Sequence, residues 1–329
     1  MKGGNIPVSD WQNRKMGKEQ FYQDVINGLC SRQKYLLSKY FYDAEGDLLF
    51  QKIMGCEDYY PTRCEMEILT EQTQNIVCSV LGRDEKVDIL ELGPGDATKS
   101  IHLIRKMDQH GELGSYIPID ISPHIIKLLK EKFQKEFPHL SFYGISGEYF
   151  NELPNAISHS ENRKVILLLG GNACNYQPET TLNMLKKLNG IMKKGDMALI
   201  GFDLKKDPRI IRAAYFDRDG FTSRFNLNLL SRINRELGGD FVIENFTHYA
   251  CYDPQTGACK SFLISESDQE VFIRDERISF GKGEPVFMEI SQKYDLHTIA
   301  HIAEESGFVQ KDVFTDRKNY FSDVLWQKA

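Results

Sequence analysis

The stretch ILELGPGDATKS, residues 89–100, decides the fold, because an apolar run ends there in two glycines and continues into a predicted helix. Gly93 and Gly95 are separated by one residue, and Lys99 follows in the predicted first helical turn. Glycine lets a backbone turn sharply and approach a ligand closely, and the exposed N–H groups of a helix start favour an anionic or hydroxyl-rich ligand. The pattern predicts a cofactor site, with a strand-to-helix turn that binds nothing as the alternative.

The composition indicates a soluble globular protein. With 41% hydrophobic residues, 27% charged residues and a formal net charge of −6, the chain lacks the basic character that nucleic acids and anionic membranes require of a partner. No run reaches the ~18 apolar residues needed to span a bilayer, and the first residues lack a signal-peptide core, so we expect a cytoplasmic protein. The seven cysteines are scattered without a C-x-x-C pair, which predicts free thiols and no metal site.

Beyond the glycine turn, predicted strands and helices alternate, which indicates a parallel sheet covered by helices on both faces. The predicted strands are residues 87–92, 116–122, 140–146, 164–171 and 197–203. Ligands of such sheets bind beyond the carboxyl ends of the strands. The residues expected along that edge are Gly93, Gly95, Asp120, Glu148 and Gly170.

The pattern changes after about residue 205, where two predicted helices precede short runs typical of antiparallel strands. We expect the first helix to have Asp207 as its cap and Pro208 at its first position, and the second to end at Gly238. The strand-like runs are residues 246–253, 259–267, 269–280 and 285–294, followed by 308–316 and 320–328 at an edge of the main sheet. Helical spacing of apolar residues also marks 11–37, 62–82 and 295–306.

The residues at the sheet edge favour one cofactor over its competitors. Asp120, an acid at the end of the second strand, suits the two ribose hydroxyls of an adenosine, and walls for adenine are expected near Glu148. A dinucleotide fingerprint requires a third glycine where this chain has Thr98, so a pyrophosphate is poorly supported. S-adenosylmethionine is the simplest adenosine cofactor that fits. A nicotinamide-dependent oxidoreductase and a non-catalytic small-molecule-binding protein are the alternatives.

Several longer segments form a characteristic series from about residue 35 almost to the C-terminus. They are KYFYDAEGDLLFQKI, EDYYPTRCEMEIL, ILELGPGDATKS, YIPIDIS, LLGGNACNYQP, GFDLKKDPRIIRAAYFDRDGFTSRFNLNLLSRINRELGGDF and FMEISQKY. In this order they resemble one enzyme family, the histidine Nα-methyltransferases of ergothioneine biosynthesis, and the resemblance is most specific in the blocks YYPTR and FNLN.

The resemblance implies an S-adenosylmethionine-dependent enzyme that methylates the α-amino group of L-histidine up to three times. It implies an α/β fold with a class I, Rossmann-like methyltransferase domain at residues 63–204 plus 293–329. A second, α+β substrate-binding domain is expected at residues 8–62 plus 205–292. A monomer is favoured, with a small amino acid as the partner.

The site residues implied by the resemblance fall into two groups. The cofactor contacts are Tyr42, Gly93, Lys99, Asp120, Glu148 and Tyr149. The substrate contacts are Tyr59, Gly170, Asn175, Tyr215, Glu289 and Ser291. Asn175 and Tyr215 would hold the carboxylate and Tyr42, the candidate catalytic residue, would lie near the amine. Glu289 and Ser291 would bind the imidazole, although Glu289 could instead be the solvent face of a strand.

The chain departs from the family pattern near the substrate. The loop after the fourth strand reads Asn172, Ala173 and Cys174, where the family has threonine and glycine, and Ser261 stands where the family has methionine. Relatives of this fold methylate tryptophan derivatives, so another amino acid or small amine is the alternative substrate. Retention of Glu289 and Ser291 favours histidine.

Overall fold

The computed structural model describes residues 8–81 and 86–329. These residues form two compact units. The sheet unit consists of Tyr60–Lys206 and Gln292–Ala329, and the auxiliary unit consists of the described residues up to Tyr59 together with Asp207–Ser291. No helix in this described part of the chain is long and apolar enough to cross a membrane.

Helices and strands alternate through the middle of the chain, as predicted. The helices are α1 Val8–Leu29, α2 Ala44–Gly55, α3 Tyr60–Glu71, α4 Thr73–Val80, α5 Ser100–Gln109, α6 Pro123–Glu136, α7 Tyr149–Ile157, α8 Pro178–Ile191, α9 Pro208–Tyr215, α10 Phe221–Leu237 and α11 Leu296–Glu305. The strands are β1 Val87–Leu92, β2 Leu113–Asp120, β3 Ser141–Phe142, β4 Ile145–Ser146, β5 Arg163–Leu168, β6 Met197–Asp203, β7 Phe246–Tyr252, β8 Ala258–Ser265, β9 Gln269–Ile273, β10 Glu276–Phe280, β11 Pro285–Gln292, β12 Phe308–Thr315 and β13 Phe321–Lys328.

The sheet unit is built on a mixed sheet with strand order β12-β13-β6-β5-β1-β2-β3, and β4 also pairs with β2. Strand β1 lies in the middle and pairs in parallel with β5 and β2. Every residue of β1 is buried, as expected for a strand that helices cover on both faces. The C-terminal strand β13 runs antiparallel between β6 and β12. The predicted architecture, a Rossmann-like α/β domain, is confirmed.

The core of the sheet unit lies between the strands and their helices. The ring of Phe202 is 5.8 Å from that of Trp326 and 5.4 Å from that of Tyr294, and all three side chains are buried. Burial of large apolar side chains stabilises a fold by about 1.5–3 kcal/mol each. The packing fixes the carboxyl end of β6 beside the C-terminal strand β13.

The auxiliary unit contains a small sheet in which β8 lies between β11 and β7, and a separate β9–β10 hairpin. Helix α10 packs against α2 and β7. Its apolar face contributes Phe225, Leu229 and Ile233 to a core that includes Leu263 and Met288. The unit therefore holds α10 and β11 close together.

The predicted ends of the two helices after residue 205 are confirmed. The Asp207 side chain accepts a hydrogen bond from the Arg209 amide at 2.9 Å, and Pro208 begins α9. Helix α10 ends at Leu237, where Gly238 has a φ of +73° that glycine adopts without steric cost. These caps set the start of α9 and the end of α10 where the sequence predicts them.

Two predicted helices differ from the observed ones. The helix predicted at 11–37 ends at Leu29, because the Tyr35 amide returns to donate to the Gly28 carbonyl at 3.2 Å. The helix predicted at 62–82 is divided into α3 and α4 at Gln72, whose side chain donates to the Thr315 carbonyl at 2.7 Å. The predicted end of that helix at Gly82 lies outside the described residues.

Two predicted strands also differ. The run 140–146 forms only the short strands β3 and β4, since the intervening Gly144 packs closely against Ile126 of α6. The run 269–280 is not one strand but the hairpin β9–β10, which turns at Arg274 with a φ of +54°. The polar run at residues 274–277 separates the apolar residues of β9 from those of β10, and it is the sequence signal that marks this hairpin.

Candidate active site

The glycine turn after β1 is shaped by side chains that pack against it. Gly93 has a φ of +67°, and a Cβ atom added there would collide with the Tyr149 hydroxyl and lie 3.3 Å from the Asn172 amide nitrogen. The Gly93 amide donates to the Ile119 carbonyl at 2.9 Å, which continues the β1–β2 pairing. The structure thus brings together Gly93 and Tyr149, two of the predicted cofactor residues, and adds Asn172.

Lys99 lies just before α5 rather than within its first turn. The helix begins at Ser100, because Asp96 accepts hydrogen bonds from the Thr98 amide and hydroxyl and holds residues 96–98 in a turn. The Lys99 ammonium forms an ion pair with Glu65. Burial disfavours the charged lysine, but the negative charge of Glu65 outweighs this effect and raises the pKa of Lys99. Lys99 is therefore a protonated donor beside the turn.

Asp120 ends β2, and its carboxylate is oriented by the chain that follows it. The carboxylate accepts a hydrogen bond from the Ser122 amide at 2.8 Å, and the Asp120 carbonyl accepts one from the Gly147 amide at 2.9 Å. The second bond places the segment that carries Glu148 beside Asp120. Glu148 is exposed and immediately precedes α7, whose first residue is Tyr149. The predicted acids therefore occupy adjacent loops at the carboxyl edge of the sheet.

The loop after β5 carries Gly170 and Asn175, both exposed. Gly170 has a φ of +76°, and a Cβ atom added there would lie 3.4 Å from the Lys99 ammonium nitrogen. The departure from the family pattern forms a 3-10 turn at Asn172–Cys174. Cys174 is buried, its sulfur accepts the Asp203 amide at 3.4 Å, and burial raises the pKa of its thiol to about 12. Cys174 is thus a packing residue and not a reactive thiol.

The remaining predicted substrate residues meet within the auxiliary unit. The Tyr215 hydroxyl donates to the Ser291 hydroxyl at 2.6 Å, and the Tyr59 ring lies 6.3 Å from the Tyr215 ring. Glu289 and Ser291 are two residues apart on β11, so both side chains project from one face of the strand. Glu289 accepts a hydrogen bond from the Asn226 side-chain amide at 3.3 Å. A carboxylate and two hydroxyls are therefore grouped together.

Tyr42 lies in the same unit, with its ring 5.7 Å from Phe50 and 5.6 Å from Phe225. Lost hydration and the negative charge of Glu289 raise the pKa of Tyr42 above its usual value, although 47% of the residue's surface is exposed. Its phenol is therefore neutral near pH 7. It can orient a ligand through hydrogen bonds, but it supplies no phenolate base.

Two buried residues that were missed by the sequence-based prediction form hydrogen bonds to predicted site residues. Glu65 is 1% exposed and binds both Lys99 and the Gly170 amide, and Asn226 is fully buried beneath Glu289. The Asn226 orientation is fixed because its amide nitrogen faces two acceptors, Glu289 and the Thr222 carbonyl at 3.1 Å. Each is a polar residue on the buried face of an amphipathic helix, and that interruption of the apolar stripe is the signal that could have revealed them.

Comparisons with known proteins decide the family. A family model described as "Histidine-specific methyltransferase, SAM-dependent" matches residues 21–328. The chain belongs to this family. The match confirms the resemblance inferred from the sequence motifs and the enzyme class, an S-adenosylmethionine-dependent N-methyltransferase, and it sets aside the nicotinamide oxidoreductase.

Three named relatives match between 64% and 98% of this chain. A histidine N-alpha-methyltransferase of Mycobacterium tuberculosis is 29% identical over 98% of this chain and 99% of its own length. One of Mycolicibacterium smegmatis is 31% identical over 91% of this chain and 92% of its own. A 4-dimethylallyltryptophan N-methyltransferase of Claviceps purpurea is 27% identical over 64% of this chain and 62% of its own length. The family thus has relatives named for two different amines.

Proposed function

We propose that this protein transfers methyl groups from S-adenosylmethionine to the α-amino nitrogen of L-histidine, up to the trimethylated product. The observation that carries the choice of histidine is the grouping of Glu289 with Ser291 on one face of β11, with Asn226 and Tyr215 as their hydrogen-bond partners. An imidazole offers N–H and N groups that match a carboxylate acceptor and a hydroxyl. A carboxylate placed among protein side chains favours a donor-bearing partner over an apolar one.

The residues of the sheet edge fit an adenosine cofactor. Gly93 has no side chain, so the Tyr149 hydroxyl packs directly against the turn, and the Asp120 carboxylate suits the ribose hydroxyls as an acceptor. We assign Tyr42, Gly93, Lys99, Asp120, Glu148 and Tyr149 to binding the methyl donor. When bound, that donor supplies an electrophilic methyl group on a sulfonium.

The protein's part in the reaction is mainly to position the amine. Gly170, Asn175, Tyr59 and Tyr215 would hold the amino acid so that its nitrogen faces the methyl carbon. Alignment of two reactants contributes up to ~7–11 kcal/mol in favourable cases. The neutral phenol of Tyr42 would orient the amine through hydrogen bonding.

Protonation of the amine limits this chemistry. An unperturbed α-amino group titrates near pH ~8, so at neutral pH most of it carries a proton and has no lone pair for attack. That proton must leave before the first transfer. The first and second methylations each release one further proton from nitrogen before the next transfer, whereas the third yields a quaternary nitrogen without one.

Separate incubations with three candidate substrates test the proposal. The protein is incubated with S-adenosylmethionine and either L-histidine, 4-dimethylallyltryptophan or L-tryptophan, and the products are identified by mass spectrometry together with released S-adenosylhomocysteine. We expect methylation of histidine at the α-amino nitrogen and no more than trace methylation of the indole compounds. Methylation of an indole amine without methylation of histidine would overturn the proposed substrate.

A further inference from the structure

A single buried carboxylate in the sheet unit binds two loops at the carboxyl edge of the sheet. Glu65 projects from α3, its Oε1 accepts the Gly170 amide at 2.6 Å, and its Oε2 pairs with the Lys99 ammonium. Gly170 follows β5 and Lys99 precedes α5, so the two loops follow neighbouring strands, β5 and β1. Glu65 therefore fixes the distance between a predicted substrate residue and a predicted cofactor residue.

The surrounding sheet is shaped to receive this carboxylate. Gly201 lies within β6, and a Cβ atom added there would stand 2.5 Å from Glu65 Oε1. Asp323 of β13 pairs in register with Gly201. Burial and the nearby charge of Glu65 raise the pKa of Asp323 well above its usual value, which favours the neutral form of Asp323 beside Glu65.

The ion pair is asymmetric in its exposure. The Glu65 side chain is 1% exposed, whereas the Lys99 side chain is 20% exposed. An ammonium has three N–H donors. When one of them is bonded to the buried Glu65 carboxylate, the others can still donate to a ligand on the exposed side of Lys99. Loss of the carboxylate would free the flexible lysine stem and leave its direction undefined.

We propose that Glu65 is a positioning residue of the methyl-donor site, which holds the Lys99 ammonium toward the ligand and locks it to the Gly170 loop. The inference rests on the proposed function for the identity of the ligand. Glu65 itself contacts no substrate in this account and acts through Lys99.

Glu65→Gln separates the two arms of the carboxylate. The remaining carbonyl oxygen can still accept the Gly170 amide, but the new amide NH₂ faces the Lys99 ammonium, donor against donor. We expect the Kd of S-adenosylhomocysteine, measured by calorimetry, to rise at least about tenfold. The KM for histidine at saturating methyl donor should change less than about twofold, since the Gly170 arm is kept.

A double-mutant cycle shows whether Glu65 acts through Lys99. Lys99→Met alone should weaken S-adenosylhomocysteine binding, and Glu65→Gln combined with Lys99→Met should weaken it no further. Additive losses would contradict the proposed route. Glu65→Asp keeps the charge but is one methylene too short to reach both partners, and it gives the same comparison of affinities where Glu65→Gln fails to fold.

Asp88→Asn is the matched control. Asp88 forms a buried ion pair with Lys164 at 3.0 Å in the same unit, away from the glycine turn. Loss of the Asp88 charge in this variant should lower the melting temperature of the protein without changing its affinity for S-adenosylhomocysteine. Wild-type protein that neither binds this ligand nor methylates histidine would refute the proposed function. Wild-type binding that Glu65→Gln and Glu65→Asp leave unchanged would refute only the role of Glu65.

Discussion

Replacing Glu289 by alanine should remove the carboxylate that we assign to the substrate side chain. Glu289 is half-buried on β11, accepts the Asn226 amide at 3.3 Å and projects from the same strand face as Ser291. The variant leaves Asn226 bound to the Thr222 carbonyl at 3.1 Å, so the amide keeps a partner and the fold should survive. The substitution should therefore weaken histidine binding rather than the stability of the fold.

The size of the loss follows from the kind of bond removed. A hydrogen bond that involves a charged group contributes about 1.5–3 kcal/mol, and each ~1.4 kcal/mol is a factor of ten in affinity. We expect the KM for histidine to rise about 10- to 150-fold in Glu289→Ala. Glu289→Gln keeps a carbonyl acceptor at the same place but loses the charge. Its KM for histidine should therefore lie between that of the wild-type protein and that of Glu289→Ala.

Initial methylation rates at varied histidine and saturating S-adenosylmethionine give the KM, and calorimetry with S-adenosylhomocysteine gives the cofactor affinity. Glu276→Ala, at an exposed residue of the same unit, is the control and should leave both values unchanged. Equal losses of histidine and cofactor affinity in Glu289→Ala would refute the assigned role. An unchanged KM would show that the Glu289 carboxylate does not bind the substrate side chain.

Three further predictions concern single residues. Gly93→Ala should abolish calorimetric binding of S-adenosylhomocysteine and cost about 1–2 kcal/mol of stability, because the backbone there is left-handed and Tyr149 fills the space. Asp203→Asn should lower the free energy of unfolding in urea by about 3–5 kcal/mol, since the Asp203 carboxylate accepts bonds from the buried Lys293 ammonium at 2.6 Å and from Lys206 at 2.5 Å. Burial lowers the pKa of His248 to about 4, although the negative charge of Asp217 acts in the opposite direction. As the pH falls, His248 is therefore protonated below pH ~6.5 in the unfolded chain but only near pH 4 in the folded chain. Stability from this group is present above pH ~6.5 and falls by up to about 3 kcal/mol as the pH drops to 4; His248→Leu should remove this part of the pH dependence in urea titrations.

Much of the sheet unit could be predicted because its sequence signals are local. The run Val87–Leu92 contains four apolar residues and the two acids Asp88 and Glu91. It forms the central strand between β5 and β2. The cap at Asp207 is a single side chain that bonds to the backbone amide two residues later, so its effect is visible in the sequence. Such signals do not depend on distant parts of the chain.

The errors arise where a distant residue decides local structure. Gln72 interrupts the α3–α4 helix by bonding to Thr315, which is remote in sequence. Glu65 is 34 residues from Lys99 and 105 residues from Gly170, and no spacing rule joins three residues on different elements. The hydrogen bond between Tyr215 and Ser291 likewise brings together two hydroxyls to which the resemblance gives separate roles.

Glycines within the sheet show how polar groups are accommodated in this unit. Gly201 and Gly114 both lie inside strands where an ordinary side chain would fit the backbone, yet an added Cβ would meet Glu65 Oε1 at 2.5 Å and Asp88 Oδ1 at 2.5 Å, respectively. Glycine weakens a strand, so its presence is explained by the buried carboxylate that takes the space. Each of these carboxylates binds a lysine, Lys99 in one case and Lys164 in the other. Both side chains of the Lys164 pair are no more than 1% exposed, whereas the Lys99 side chain is 20% exposed. This difference in exposure is the reason why we assign a ligand-binding role to the Lys99 pair and only a stabilising role to the Lys164 pair.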